Sequence, residues 1–261
     1  SGTGAVRLIL EERGFTYVDL NPLIGLKPNI RILNGGDKII WFSERDGWGH
    51  LYLYDGKGGA LINQITSGPW SVRDIIHVDE DKGWVYFTAG GREKGRDPYY
   101  RHLYRVNLDG DNLQLLTPED ADHDVMFSPV GNYFVDTYSR VDAAPVSVLR
   151  ACDGQLVVKL EEGDVELLLA KKWQWPEQFT VKARDGVTDL YGVLFRPSTF
   201  DPAKKYPVID IDGVRINYPH GWALVRASNT QAVLVLRYEA ETPEDLEAIR
   251  KEVGKALERA I

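Results

Sequence analysis

Alternation of apolar and polar positions, the period of a half-buried strand, recurs through residues 1–162. His50-Leu51-Tyr52-Leu53-Tyr54-Asp55 passes through Gly-rich turn residues into Ala60-Leu61-Ile62-Asn63-Gln64-Ile65-Thr66. His102-Leu103-Tyr104-Arg105-Val106-Asn107 passes through Asp109-Gly110-Asp111 into Asn112-Leu113-Gln114-Leu115-Leu116-Thr117. A third copy joins Pro145-Val146-Ser147-Val148-Leu149-Arg150 to Gln155-Leu156-Val157-Val158 through Asp153-Gly154. Each copy predicts a hairpin, two alternating strands about an Asp/Gly turn. A further strand precedes each one: 38–43, 83–88 and 132–137. A repeat of about 45 to 50 residues with several strands is the signature of propeller blades. The pattern therefore predicts three blades and a fraction, with 4–20 supplying the last strands of a preceding blade. A closed ring takes about four to eight blades, so an arc of three to four is expected.

From Trp173 the texture changes. Residues 177–183, Arg184-Asp185-Gly186 and 188–195 predict another hairpin, followed by a Pro-containing loop and a strand from Pro207. Strands are expected again at 214–218, 223–226 and 232–240. The closing helix carries its own start signal: Thr242 as N-cap, Pro243 in the first position and Asp245 three residues after the cap. Leu246, Ile249, Val253 and Leu257 then mark one apolar face. The expected fold class is mainly β with an α+β tail. It comprises a partial propeller over 1–175, a hairpin unit over 176–210, and a small antiparallel sheet with a C-terminal helix over 211–261.

Composition narrows the partners. A net charge of −8 and a pI near 5.2 argue against a surface that tracks nucleic-acid phosphates. No apolar run approaches the roughly 18 residues of a membrane helix, and the run at 167–170 is strand- or turn-sized. The start, Ser-Gly-Thr-Gly, reads as trimmed or internal. One cysteine, Cys152, excludes an internal disulfide and a Cys-built zinc site.

Several residues invite a chemical reading and have a plainer one. His50 and His102 hold the same place in successive repeats, which argues for blade structure over catalysis. Glu119-Asp120-Ala121-Asp122-His123-Asp124 has the composition of a cation site without the glycine and ligand spacing of a calcium loop. It is read as a solvated loop between blades. Gly90-Gly91-Arg92-Glu93-Lys94-Gly95-Arg96 lacks the Gly-Lys-Ser/Thr ending of a phosphate loop and is read as a mobile blade connection. Trp41, Trp48, Trp84, Tyr86 and Tyr104 fall on strand periodicity and predict sheet packing. No cofactor and no metal site is expected.

Residues 34–210 resemble the dipeptidyl peptidase IV family of serine peptidases. The likeness rests on Trp41-Phe42-Ser43-Glu44-Arg45-Asp46-Gly47-Trp48-Gly49-His50-Leu51-Tyr52, on Tyr86-Phe87-Thr88-Ala89-Gly90-Gly91, and on 118–124, 127–129 and 133–140. Lys204-Lys205-Tyr206-Pro207-Val208-Ile209-Asp210 resembles the entry to the α/β-hydrolase domain. The resemblance implies a propeller that controls peptide access and a Ser-Asp-His triad beyond it. Where the family's oxyanion tyrosine is expected stands Ile211-Asp212-Gly213-Val214, and no Gly-x-Ser-x-Gly elbow occurs. No catalytic residue is assigned.

Residues 211–261 resemble the C-terminal domain of the phosphomannomutase/phosphoglucomutase family, through Asp212-Gly213-Val214-Arg215, 221–230 and 233–240. That resemblance implies that Arg226, Ser228, Asn229 and Thr230 hold the phosphate of a phosphorylated hexose, a guanidinium fork among neutral donors. The expectation is a chimeric or truncated peptidase-like fragment, inactive alone. A phosphosugar-binding module is one alternative; another is a module that takes a peptide or protein partner. Open blade edges imply self-association. The peptidase resemblance implies the periplasm, the mutase resemblance the cytoplasm.

Overall fold

The computed structural model describes residues 4, 6–14, 17–21, 27–196, 199–201, 203, 214–227 and 234–258. The chain forms two compact units, Ser1–Thr199 and Phe200–Ile261. The first contains three successive four-stranded antiparallel meanders. Sheet one is β1 (Arg31–Leu33), β2 (Lys38–Ser43), β3 (His50–Asp55) and β4 (Leu61–Gln64). Sheet two is β5 (Ser71–Asp79), β6 (Trp84–Gly90), β7 (His102–Asn107) and β8 (Gln114–Leu115). Sheet three is β9 (Asp122–Phe127), β10 (Tyr133–Arg140), β11 (Ala143–Ala151) and β12 (Leu156–Glu162).

Each sheet has one strand more than the repeat predicts: β1, β5 and β9. Their sequences hide them. β5 reads Ser-Val-Arg-Asp-Ile-Ile-His-Val-Asp and bulges twice against β6, which breaks the alternation. β9 lies in the acidic run expected to be a solvated loop, and that expectation is corrected below. Trp48 sits in the turn between β2 and β3, not on a strand. The described residues of 4–20 form no strand. They fasten to sheet one through Glu12, which accepts from Trp41 Nε1 at 2.5 Å and from the Ser43 hydroxyl. The apolar run near 167 is not a strand but the short helix α1 (Glu166–Ala170).

Side-chain parity explains how the sheets stack. Along β6, Val85, Phe87 and Ala89 pack into a cluster with Phe42, Leu51 and Leu53 of sheet one. Trp84 and Tyr86 point the other way, into a cluster with Phe134 and Phe127 of sheet three. β7 divides likewise, Tyr104 and Val106 to one side and Leu103 to the other. Successive strand residues face opposite sides, so an apolar run with no polar face, Trp-Val-Tyr-Phe-Thr-Ala, is what a sheet covered on both sides requires. Burying one such aromatic side chain contributes about 2–3 kcal/mol.

The Asp/Gly turns close the same contact twice. Gly110 takes φ +95° and lies so near sheet one that a Cβ would be 3.1 Å from the Gln64 carbonyl oxygen. Gly154 takes φ +90°, and its Cβ would be 2.9 Å from the Leu116 carbonyl oxygen of sheet two. A glycine is needed here for the turn and for the approach alike. Free edges are irregular: β4 and β8 are four and two residues long, and β12 carries two register shifts against β11. After sheet three, β13 (Glu177–Lys182) and β14 (Asp189–Leu194) form the expected hairpin, its Gly186 at φ +70°.

In the second unit, β15 (Val214–Tyr218), β16 (Gly221–Ala227) and β17 (Leu234–Ala240) form an antiparallel sheet, followed by α2 (Pro243–Glu258). Thr242 Oγ1 accepts from the Asp245 amide at 3.1 Å, as an N-cap does. Ile249 and Val253 are buried with Ala223 of β16, and Leu257 packs against them. No helix among the described residues is long and apolar enough to cross a membrane.

Asn29 joins the segment before β1 to sheet two. It is fully buried, its Oδ1 accepting from the Ile75 amide at 2.9 Å and its Nδ2 donating to the Arg73 carbonyl at 3.0 Å. Asn29→Ala leaves both backbone groups unpaired and is expected to lower stability by about 2–4 kcal/mol. Urea unfolding measures it, and a loss below about 0.5 kcal/mol, the scatter of surface substitutions, contradicts this role.

Candidate functional site

Two places in the first unit gather chemistry-bearing side chains. The first is buried between sheets two and three. The alternation of β9, β10 and β11 brings His123, Asp136 and Arg150 to the face that also carries Val125, Phe127 and Phe134. His123 and Asp136 are fully buried and Arg150 is 3% exposed. His123 Nδ1 lies 2.8 Å from Asp136 Oδ1, and its Nε2 lies 3.0 Å from the Glu119 carbonyl oxygen. Arg150 donates from Nε to Asp136 at 3.0 Å and from a terminal nitrogen to Glu119 Oε1 at 2.5 Å.

The run 119–124 is thus a loop only over 119–121, where Asp120 is exposed; from Asp122 it is strand, and His123 is fully buried. Its composition reads as exposed, but its carboxylate and imidazole are matched by a guanidinium two strands away. A lone Asp in Tyr-Phe-Val-Asp-Thr-Tyr and a lone Arg in Val-Ser-Val-Leu-Arg were the available signals, since a charge inside an apolar strand needs a partner. His102 of β7 meets His123 across the sheets, ring centroids 5.1 Å apart. Its Nδ1 faces the Thr117 carbonyl oxygen at 3.2 Å, while its Nε2 and Glu119 Oε2 are buried without a protein partner. Burial, and then the neighbouring His123, hold the His102 imidazole below its ordinary pKa, which favours the neutral ring.

Glu119, His123 and Asp136 each place a potential ligand atom within 4.8 Å of the others. The donor set does not suit a metal ion. The Arg150 guanidinium already contacts both carboxylates, and both nitrogens of His123 are engaged. A cation would have to displace a buried positive charge. The arrangement works as an ion-paired latch that ties β9, β10 and β11 to the connection leading in from sheet two. His50 and His102 occupy equivalent buried positions at the starts of β3 and β7. In each repeat the next amide, Leu51 or Leu103, donates to a threonine hydroxyl, Thr66 or Thr117.

The second place is a cleft of about 790 Å³ between the β13–β14 hairpin and sheet three with its neighbouring loops. Register pairs Gln178 with Val193 and Thr180 with Tyr191, so these side chains share the hairpin face that lines it. Opposite stand Asp97, Tyr99, Asp120 and Arg140. Arg140 is held bidentately by Asp142 at 2.8 and 2.6 Å, and this guanidinium pulls the Asp142 carboxyl below its ordinary pKa. Gln178 also donates to Asp142, at 3.1 Å, tying the hairpin to sheet three. The connection after β6 is fastened by its own charges: Arg96 donates to the carbonyls of Pro118 and Glu119, and Glu93 accepts from the Tyr104 hydroxyl at 3.0 Å.

Of the four residues expected to hold phosphate, Arg226 falls near the end of β16, where only its backbone is described. Ser228, Asn229 and Thr230 lie outside the described residues. Among the described residues no serine hydroxyl is hydrogen-bonded to a histidine ring.

Comparison with known proteins agrees with the two resemblances. A family model for the dipeptidyl peptidase IV (DPP IV) N-terminal region matches residues 1–145. A model for the phosphoglucomutase/phosphomannomutase C-terminal domain matches residues 172–256. The chain is similar to dipeptidyl peptidase 4 of Trichophyton rubrum, 31% identical over 209 residues that span 77% of this chain and 26% of the relative. Dipeptidyl peptidase 4 of Arthroderma otae is 30% identical over 210 residues, with the same coverage. The crystal structure of Porphyromonas gingivalis dipeptidyl peptidase 4 superposes with a TM-score of 0.56 at 26% identity, over 69% of this chain and 25% of that one. The chain thus spans about a quarter of the length of these relatives.

The latch yields a contrast between two aspartates. Asp136→Asn takes from the buried Arg150 guanidinium its fully buried carboxylate, leaving it Glu119, and is expected to cost about 3–5 kcal/mol. Asp142→Asn, at a partly exposed pair, is expected to cost about 0–1 kcal/mol. Parallel urea titrations decide it, and equal losses would remove the case for a latch.

Proposed function

The chain belongs to the dipeptidyl peptidase IV family through its N-terminal region, and on that premise we propose that its three sheets are peptide-gating propeller blades and that this chain has no peptidase activity by itself. The observation carrying the first part is the stack of three four-stranded meanders joined through double-sided burial of the middle one. Such a stack is stiff, since every side chain of β6 is packed, and a stiff wall beside a catalytic domain can select extended peptides by width.

The second part rests on chemistry. Acyl transfer by a serine peptidase needs an activated hydroxyl, a base that takes its proton, and donors for the developing oxyanion. The sequence contains no Gly-x-Ser-x-Gly elbow. Two of the buried histidines have both ring nitrogens committed to structural partners, and no serine hydroxyl among the described residues is bonded to the third, His102. His50 bonds Thr66 and the Gly68 carbonyl, and His123 bonds Asp136 and the Glu119 carbonyl. The purified chain is expected to release no chromophore from Gly-Pro-p-nitroanilide above a buffer blank. Release that scales with protein and persists through repurification would overturn this reading.

A second reading is favoured by the separate match of residues 172–256. It makes the second unit a binder of phosphorylated hexose through Arg226, Ser228, Asn229 and Thr230. A guanidinium beside three neutral donors suits a phosphate dianion. Calorimetric titration with glucose 1-phosphate is expected to give saturable heat that Arg226→Ala abolishes. No heat at millimolar ligand, or heat indifferent to that substitution, excludes it.

A further inference from the structure

The cleft at the β13–β14 hairpin has a chemistry that the peptidase reading does not use. Its two guanidiniums are already spent. Arg140 is forked onto Asp142, and Arg96 donates to two backbone carbonyls. An anionic ligand would find few free donors there. What remains on the walls is acceptors and aromatic faces.

Asp97 uses Oδ1 to cap the Tyr99 amide at 2.9 Å, which leaves its second oxygen for a ligand. Asp120 has a half-exposed carboxylate, and its nearest cationic atom, on Arg140, stands 3.8 Å away while that arginine is committed to Asp142. The rings of Tyr99 and Tyr191 meet at 77° with centroids 6.2 Å apart, one from each wall. Tyr99 is 70% exposed and Tyr191 39%, so ring surface is open to a ligand. Of the three lining carboxylates, Asp189 is paired with Lys182 at 2.6 Å, so Asp97 and Asp120 are the acceptors that a cationic ligand would meet.

We propose that this cleft binds a guanidinium group, the side chain of an arginine carried on a peptide. The ligand must bring donors and positive charge, and it must be flat enough to lie against a tyrosine ring. A guanidinium does all three: it stacks on aromatic faces, forks to a carboxylate, and is weakly hydrated, so it leaves water at lower cost than an ammonium. The volume of about 790 Å³ exceeds one side chain and admits the adjoining peptide backbone, in the range usual for ligand clefts. The site belongs to blades and hairpin alone and needs no catalytic serine, so it stands independently of peptidase activity.

The test uses the full chain and three blocked amino acids: N-acetyl-arginine amide, its neutral isostere N-acetyl-citrulline amide, and N-acetyl-lysine amide. Titration at low salt, followed by calorimetry or by chemical shifts of ring-labelled tyrosine, is expected to give saturable binding of the arginine probe. The citrulline and lysine probes are expected to bind about tenfold or more weakly. Tyr99→Ala and Asp97→Asn should each weaken the arginine probe about three- to thirtyfold. Tyr99 is largely exposed, so an unchanged melting temperature for Tyr99→Ala separates lost binding from lost folding. Equal binding of arginine and citrulline, lysine matching arginine, no saturation by tens of millimolar, or binding untouched by both substitutions would each overturn the proposal.

Discussion

The middle sheet must be covered on both faces, and the rest of the first unit follows from that. β6 has no polar side to offer water. Its odd-numbered residues are committed to sheet one and its even-numbered aromatics to sheet three. Either neighbour alone would leave half of the run Trp-Val-Tyr-Phe-Thr-Ala in water, at a cost of about 2–3 kcal/mol for each large side chain. The turns are built to permit this closeness. Gly110 reaches back to sheet one and Gly154 to sheet two, each where a side chain would strike a carbonyl oxygen. The same residue type in the same turn of successive repeats therefore sets both the hairpin and the spacing between sheets.

The interface between sheets two and three adds a polar element to this apolar rule. Phe127, Phe134 and Tyr86 supply area, while His123, Asp136, Arg150 and Glu119 supply a contact that tolerates few alternatives. Apolar side chains can slide past one another with modest loss. A buried guanidinium displaced from its carboxylates loses several kcal/mol, because nothing else in that interior can solvate it. Registration of the third sheet rests on that latch, and the cleft follows from registration, since Asp120 lies in the connection that the latch fixes and Arg140 ends β10. A rigid blade stack on one side and a hairpin tied by Gln178 on the other give a recess whose walls keep their spacing.

Much of this is legible in the sequence. The repeat placed two or three strands of every sheet correctly, because those strands alternate and end in Asp/Gly turns. The closing helix was legible from Thr242-Pro243 and the spacing of Leu246, Ile249, Val253 and Leu257. β1, β5 and β9 were not. A three-residue strand, a twice-bulged one and one beginning in an acidic run carry no clean period. Of the candidate sites, the phosphate-binding residues came from resemblance and lie in or beside residues outside the description. The latch shows in the sequence only as a lone Asp136 and a lone Arg150 within apolar strands, and the cleft not at all, since its members come from distant segments that share no local pattern.

The amino-acid sequence by itself determined that the strands repeat in blade-sized units, the positions of their turns, the family, and the lack of a nucleophile elbow. Each of these is written in residues close together along the chain, where strand period, turn chemistry and motif act locally. Only the tertiary structure decided that the acidic run leads into a strand whose His123 is buried, that Arg150 pairs with Glu119 and Asp136, and that Tyr99 and Tyr191 meet at one cleft. Burial and pairing between distant strands depend on the register of whole sheets, and register is settled by the packing of both faces at once.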